Sequence, residues 1–176
     1  MSAVAISVLS GVMSLGDIEP SVESIPYAYL AVAESHQVPA DLLFSIALAE
    51  SGRPFDNKSL PWPWALNIHG LPVYCQTEKE ALKAIETAIQ REQQLDIGLM
   101  QISWRWQQHR FESFQEALIP MRNLQAGAEV LKEQYEHSQD WWVATGRYHD
   151  PGQDAESLAS AEAYRERVKR IWAGRF

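Results

Sequence analysis

Glu50 closes an apolar run, Leu42-Leu43-Phe44-Ser45-Ile46-Ala47-Leu48-Ala49. A carboxylate in apolar surroundings loses hydration, which favours its neutral form and raises its pKa. A group that holds a proton near neutral pH can give it to a leaving oxygen, which is the task of a glycosidase acid. A Glu at a helix end is also commonly just solvated, so position alone decides nothing. Two-carboxylate glycosidases need a second Asp or Glu about 5–9.5 Å from the first. Asp56, Asp96 and Asp150 are the available partners, and none has a compelling local context. A single-carboxylate mechanism fits better. Asp96, just before Gly98, is expected to accept backbone N–H groups of the turn there.

Other chemistries find little support. The five histidines, at 36, 69, 109, 137 and 149, are never three to five residues apart, and HExxH is absent. No metal site is expected, and no cofactor. There is no GxSxG and no phosphate loop. Cys75 is the only cysteine, which excludes an intramolecular disulfide and a four-cysteine zinc site. It reads as a small, partly buried residue. Seven tryptophans are many for 176 residues, and six of them pair as Trp62/Trp64, Trp104/Trp106 and Trp141/Trp142. Aromatic faces stack on sugar rings, but core packing is the commoner use. Most are expected in the core or at its rim.

These residues need a scaffold, and the length suits one domain. Hydrophobic residues at 46% and charged residues at 22% are ordinary for a globular chain. The net charge is −8, which disfavours nucleic acid and anionic lipid as partners. No Lys or Arg precedes Arg53. Asp17, Glu19, Glu23, Glu34, Asp41 and Glu50 give the first 52 residues a net −6, leaving −2 for the rest. Residues 3–15 are apolar and too short for a spanning helix. They have the length of an export-signal core, with Ser14 and Gly16 suited to a cleavage site, but lack a basic start. Residues 1–23 are therefore set apart as a signal segment or N-terminal arm, and 24–176 as the domain.

The domain reads as mainly helical. Pro26 starts a helix running to about His36, capped by Ser24 or Ile25. Ala40–Ser51 is the next helix, with Gly52 as its C-terminal stop. Pro54, Pro61 and Pro63 then forbid helix. The β-prone runs Trp64–Ile68 and Leu71–Cys75 flank His69-Gly70 and predict a small β-hairpin. Thr77 and Glu80 form a capping box for the following helix. Later helices are predicted at about 121–137, after Asp140, and at about 156–173. The fold class is mainly α, a single helical domain with a small β-hairpin insert.

Taken together, the motifs resemble a known family. Glu50-Ser51 ends a helix. Gly98-Leu99-Met100-Gln101-Ile102 follows, then Asn123-Leu124-Gln125-Ala126-Gly127, Arg147-Tyr148-His149-Asp150-Pro151, and Tyr164 in Ala163-Tyr164-Arg165-Glu166-Arg167-Val168. Their order resembles the soluble lytic transglycosylase catalytic domain, a lysozyme-like fold, over residues 24 to 173. The resemblance implies cleavage of the β-1,4 bond between N-acetylmuramic acid and N-acetylglucosamine in peptidoglycan. It implies that one Glu acts as acid and then base, leaving a 1,6-anhydro product, and Glu50 matches that residue. It implies a substrate-binding set of Ser51, Met100, Gln101, Tyr148, His149 and Tyr164. Within it Ser51 orients the Glu or the substrate, Gln101 hydrogen-bonds sugar, Met100 shapes the cleft floor, and the two tyrosines surround the carboxyl group.

Trp62-Pro63-Trp64-Ala65-Leu66-Asn67 and the Tyr148-His149 ending resemble a subgroup associated with conjugative elements and secretion machines. That implies a transfer or secretion apparatus as a partner beside the glycan strands. A monomer is expected, in a periplasmic or extracytoplasmic location reached through the N-terminal signal. Two departures stand out. The family's usual Ala-Tyr-Asn is Arg147-Tyr148-His149 here, and the span from Ser51 to Gly98 is longer than in compact members. A lysozyme-type muramidase, a non-catalytic peptidoglycan-binding module and a helical scaffold are the alternatives.

Overall fold

The structure is a computed structural model and describes residues 25–56 and 58–176. The expected signal segment, the Ser14/Gly16 cleavage site and Ser24 lie outside the described residues.

Helix α1 (Tyr27–His36) starts behind Pro26, and α2 (Ala40–Ser51) behind Pro39. Proline suits this place because its missing N–H would be unpaired in the first turn anyway. Every residue from Leu42 to Ala49 in α2 is buried. A helix that is apolar all round belongs at the centre of a core. It packs between α1 and the last helix, α8 (Ala155–Ala173), which also packs on α7 (Trp141–His149). Helix α6 (Pro120–Ser138) bridges α1 and α7. Trp172 Nε1 donates to Asp41 Oδ2 at 2.7 Å and clasps the end of α8 to the start of α2.

The β structure is larger than one hairpin. The predicted pair is present as β3 (Ala65–Ile68) and β4 (Leu71–Tyr74). His69 and Gly70 turn it with φ of 52° and 83°, as a two-residue hairpin turn requires. Strand β3 also pairs with β5 (Leu95–Ile97), and β5 with β6 (Ile102–Ser103), giving the order β4-β3-β5-β6. The hairpin is thus the outer half of a sheet whose inner half brackets the Gly98–Gln101 turn. A second hairpin, β1 (Gly52–Phe55) with β2 (Lys58–Pro61), leaves α2 directly. Gly52 does not stop α2 in a left-handed conformation, since its φ is −57° and it opens β1. Glycine is needed there for space, because a Cβ would lie 2.3 Å from the Leu48 carbonyl oxygen.

Helix α3 (Glu78–Gln90) carries the predicted cap, with Thr77 Oγ1 accepting Glu80 N–H. The reciprocal bond is displaced by one residue, as Glu80 accepts from Gln76 N–H. Two short helices, α4 (Trp104–Gln107) and α5 (Phe114–Leu118), complete the chain. The architecture is mainly α with small antiparallel sheets, as predicted. No helix among the described residues is long and apolar enough to cross a membrane.

Candidate active site

The end of α2 brings Glu50 out of the core at its last turn, half-buried, between the sheet and α8. Burial pushes its carboxyl up to about 7. A hydrogen bond from Tyr164 and the charge of Arg167 oppose that rise, and the charge of Asp96 adds to it. Tyr164, buried on α8, donates from its hydroxyl to Glu50 Oε1 at 2.5 Å. Desolvation and the nearby Glu50 charge hold the Tyr164 phenol well above its ordinary pKa, so it stays a donor.

The Gly98–Gln101 turn lies beside this carboxyl group and is fixed from several directions. Gly98 has φ of 83° and a Cβ there would meet the Asn123 side chain at 2.5 Å. Asn123, buried on α6, donates through Nδ2 to Ile97 O at 2.8 Å and Ala117 O at 3.0 Å. Its Oδ1 accepts Met100 N–H at 2.8 Å. Ser51 Oγ donates to Leu99 O at 2.7 Å and accepts Trp62 N–H at 3.2 Å. Tyr148 Oη donates to Met100 O at 2.7 Å. Burial, then the charges of Glu50 and Asp96, raise the Tyr148 phenol as well.

The expected site residues therefore converge, but several do so differently. Ser51 is fully buried and its hydroxyl is spent on the turn and on Trp62, so it ties α2 to its surroundings and has no surface for substrate. Met100 is also fully buried, against Gly127, where a Cβ would sit 2.5 Å from its Cγ. It anchors the turn on α6. Gln101, with φ of 46°, uses its Nε2 on Gly98 O at 2.9 Å and Ala65 O at 3.1 Å. Only its Oε1 end is left to meet a ligand. His149 stacks on Tyr164 with ring centroids 4.5 Å apart and planes 2° from parallel. Burial of the imidazole and the charge of Arg167 lower its pKa against the opposing charge of Asp150, so the ring is neutral at pH 7.

The family model of the transglycosylase SLT domain matches residues 28–168. The chain belongs to this family. No curated protein and no solved structure matches it.

Arg167 of this SLT domain escaped the sequence reading, and Asp96 takes a different role from the one expected. Arg167 reaches back from α8 to donate to the Ala49 carbonyl, and its charge bears on Glu50. Asp96 was expected to accept backbone N–H groups at its turn. It sits instead in β5 opposite Ser103 of β6, whose hydroxyl hydrogen-bonds its carboxylate. Burial raises the Asp96 carboxyl, and its charge is felt by Glu50 and Tyr148. Of the three acids considered as a second carboxylate, it is the one in electrostatic reach of Glu50. Asp150 accepts Gly152 N–H at the end of α7, and Asp56 is exposed at the tip of the β1–β2 hairpin. The tryptophans largely pack: Trp104 on Phe111 and Phe114, Trp141 on Tyr135, Trp142 on Trp172, Trp62 on Trp64. Trp106 is 68% exposed. Cys75 is buried.

Proposed function

We propose that this SLT domain is a peptidoglycan lytic transglycosylase with Glu50 as its acid and base. Protonated Glu50 gives its proton to the glycosidic oxygen as the bond from muramic acid C1 breaks. The C6 hydroxyl of the same muramic acid closes onto C1, and its proton passes to the Glu50 carboxylate. The products are a 1,6-anhydro end and a new 4-hydroxyl end, and Glu50 is again protonated. The observation that carries this reading is the carboxyl group raised to about 7 and held by Tyr164. Such a group is populated in both protonation states near neutral pH, as sequential acid and base work requires.

A second reading rests on Asp96. A carboxylate beside the acid is what a muramidase uses to stabilise the oxocarbenium ion while water attacks. Mass spectrometry of fragments released from intact sacculi separates the two. Anhydro ends lost in Glu50→Gln support the transglycosylase, and reducing ends alone support the hydrolase. Binding to sacculi without release of fragments marks a non-catalytic module.

Peptidoglycan lies outside the cytoplasmic membrane, so the proposed site of action is extracytoplasmic, and residues 3–15 are the segment proposed to carry the chain there. A transfer or secretion apparatus is the proposed recruiting partner, on the strength of the Trp62–Asn67 and Tyr148-His149 motifs. Cell fractionation and co-purification test both.

A further inference from the structure

A cavity of about 310 Å³ opens between the β1–β2 hairpin and the segment after it. Arg53, Phe55, Leu60 and Trp62 form its working surface, with prolines 54, 61 and 63 and Gln76 completing the wall. Arg53 and Phe55 point to the same side of β1, and Leu60 faces Arg53 across the ladder. Phe55 is 60% exposed and Leu60 40%. Trp62 is held on edge, with Nε1 donating to Cys75 O at 2.7 Å and Trp64 packed against it. The Arg53 guanidinium lies over the Trp62 ring, 4.8 Å from its centroid. The side chain forms none of the ion pairs among the described residues. The nearby acid Glu80 accepts Gln76 N–H at the rim. Arg53 is also the first base in a chain of net charge −8.

The cavity is tied to the acid. Arg53 follows Glu50 by three residues, so their Cα atoms are at most about 11 Å apart. Trp62 N–H bonds both the carbonyl and the hydroxyl of Ser51, next to Glu50. Both walls therefore hang on the residue adjoining the site.

The geometry points to a subsite for the peptide stem of muramic acid, with Arg53 pairing a stem carboxylate and the aromatic and proline walls taking its methyl groups. This deepens the proposed function and rests on it. The stem branches from the ring being cleaved and combines carboxylates with short apolar side chains. A stacked guanidinium keeps two donor edges for a carboxylate, and the apolar walls reduce competition from water. The rest of an acidic surface repels an anionic strand, so a local cation adds discrimination as well as attraction.

The test compares stem-bearing glycan strands with the same strands stripped of peptide by an amidase. The wild-type chain is expected to favour stem-bearing strands about tenfold in kcat/KM. Arg53→Gln is expected to lose that preference, while cleavage of stripped strands stays the same. Arg53→Lys recovers part of it. Titration with free muramyl tetrapeptide, read on the Trp62 indole N–H by NMR, is expected to shift that signal in the wild type and not in Arg53→Gln. Equal cleavage of both substrates by the wild type, or an equal loss on both in Arg53→Gln, overturns the subsite. So does an indole signal that ignores muramyl tetrapeptide and responds only to an acidic protein segment. A tetrapeptide shift without cleavage of either substrate leaves the subsite standing and removes the catalytic reading.

Discussion

The Tyr164 hydroxyl donates to Glu50 Oε1 across 114 residues of chain, and His149 lies flat against the same tyrosine ring. The acid is thus positioned by a phenol whose own ring is backed on one face by an imidazole.

Removing the phenol tests that arrangement. Its hydrogen bond lowers the Glu50 pKa, so Tyr164→Phe raises it. The alkaline limb of the pH–rate profile should move to higher pH, with kcat down about tenfold or more. A profile that keeps its alkaline limb speaks against Glu50 as the titrating acid.

Asp96→Asn should move the same limb the other way. Asp96 raises the Glu50 pKa through its charge, and the neutral amide removes that push. Anhydro products should persist at a reduced rate if cleavage is intramolecular. Their replacement by no product at all would assign Asp96 a direct part in the chemistry.

Glu50→Gln should abolish cleavage, a loss of about 10²–10⁴ or more. It should also stabilise the protein at alkaline pH. Below about pH 4.5 the carboxyl is protonated in folded and unfolded chains alike, so nothing is lost. Between there and about 7 only the unfolded chain ionises, and folding stability falls as pH rises. The amide escapes this cost, which reaches up to about 3 kcal/mol. Denaturant melts should show a gain at pH 8 that vanishes at pH 4.

His149→Ala should lower kcat several-fold more than it changes KM, because it frees the tyrosine ring. His149→Phe restores a flat partner and should recover most of the loss. A variant that changes only KM would instead make His149 a sugar-binding group.

The sequence made the six longer helices and the β3–β4 hairpin legible because their signals are local, while the short α4 and α5 went unread. Prolines 26 and 39, the Thr77 cap, the Asp140 cap and the His69-Gly70 turn each act within a few residues. Strands β1 and β2 stayed hidden because Pro54 and Pro61 read as breakers, yet proline is tolerated in an isolated two-stranded ribbon with free edges. Strands β5 and β6 are three and two residues long, and only pairing with β3 makes them strands. The motif residues were readable as a set, but their division of labour was not. Burial turned Ser51 and Met100 from expected members of the substrate-binding set into supports. Arg167 and Asp96 act on Glu50 through contacts made over long stretches of chain, which no local spacing encodes.

Asn123 has one more consequence. Its single amide binds the strand before the Gly98 turn, the turn itself and the end of α5, while its flank fills the space a Gly98 side chain would need. Loop and helix behave as a lock with its key cast in place. An engineer who transplants the Gly-Leu-Met-Gln segment into another scaffold must carry a buried amide on a neighbouring helix with it. A graft that leaves the amide behind will set the segment down in some other shape, however faithfully its own residues are copied.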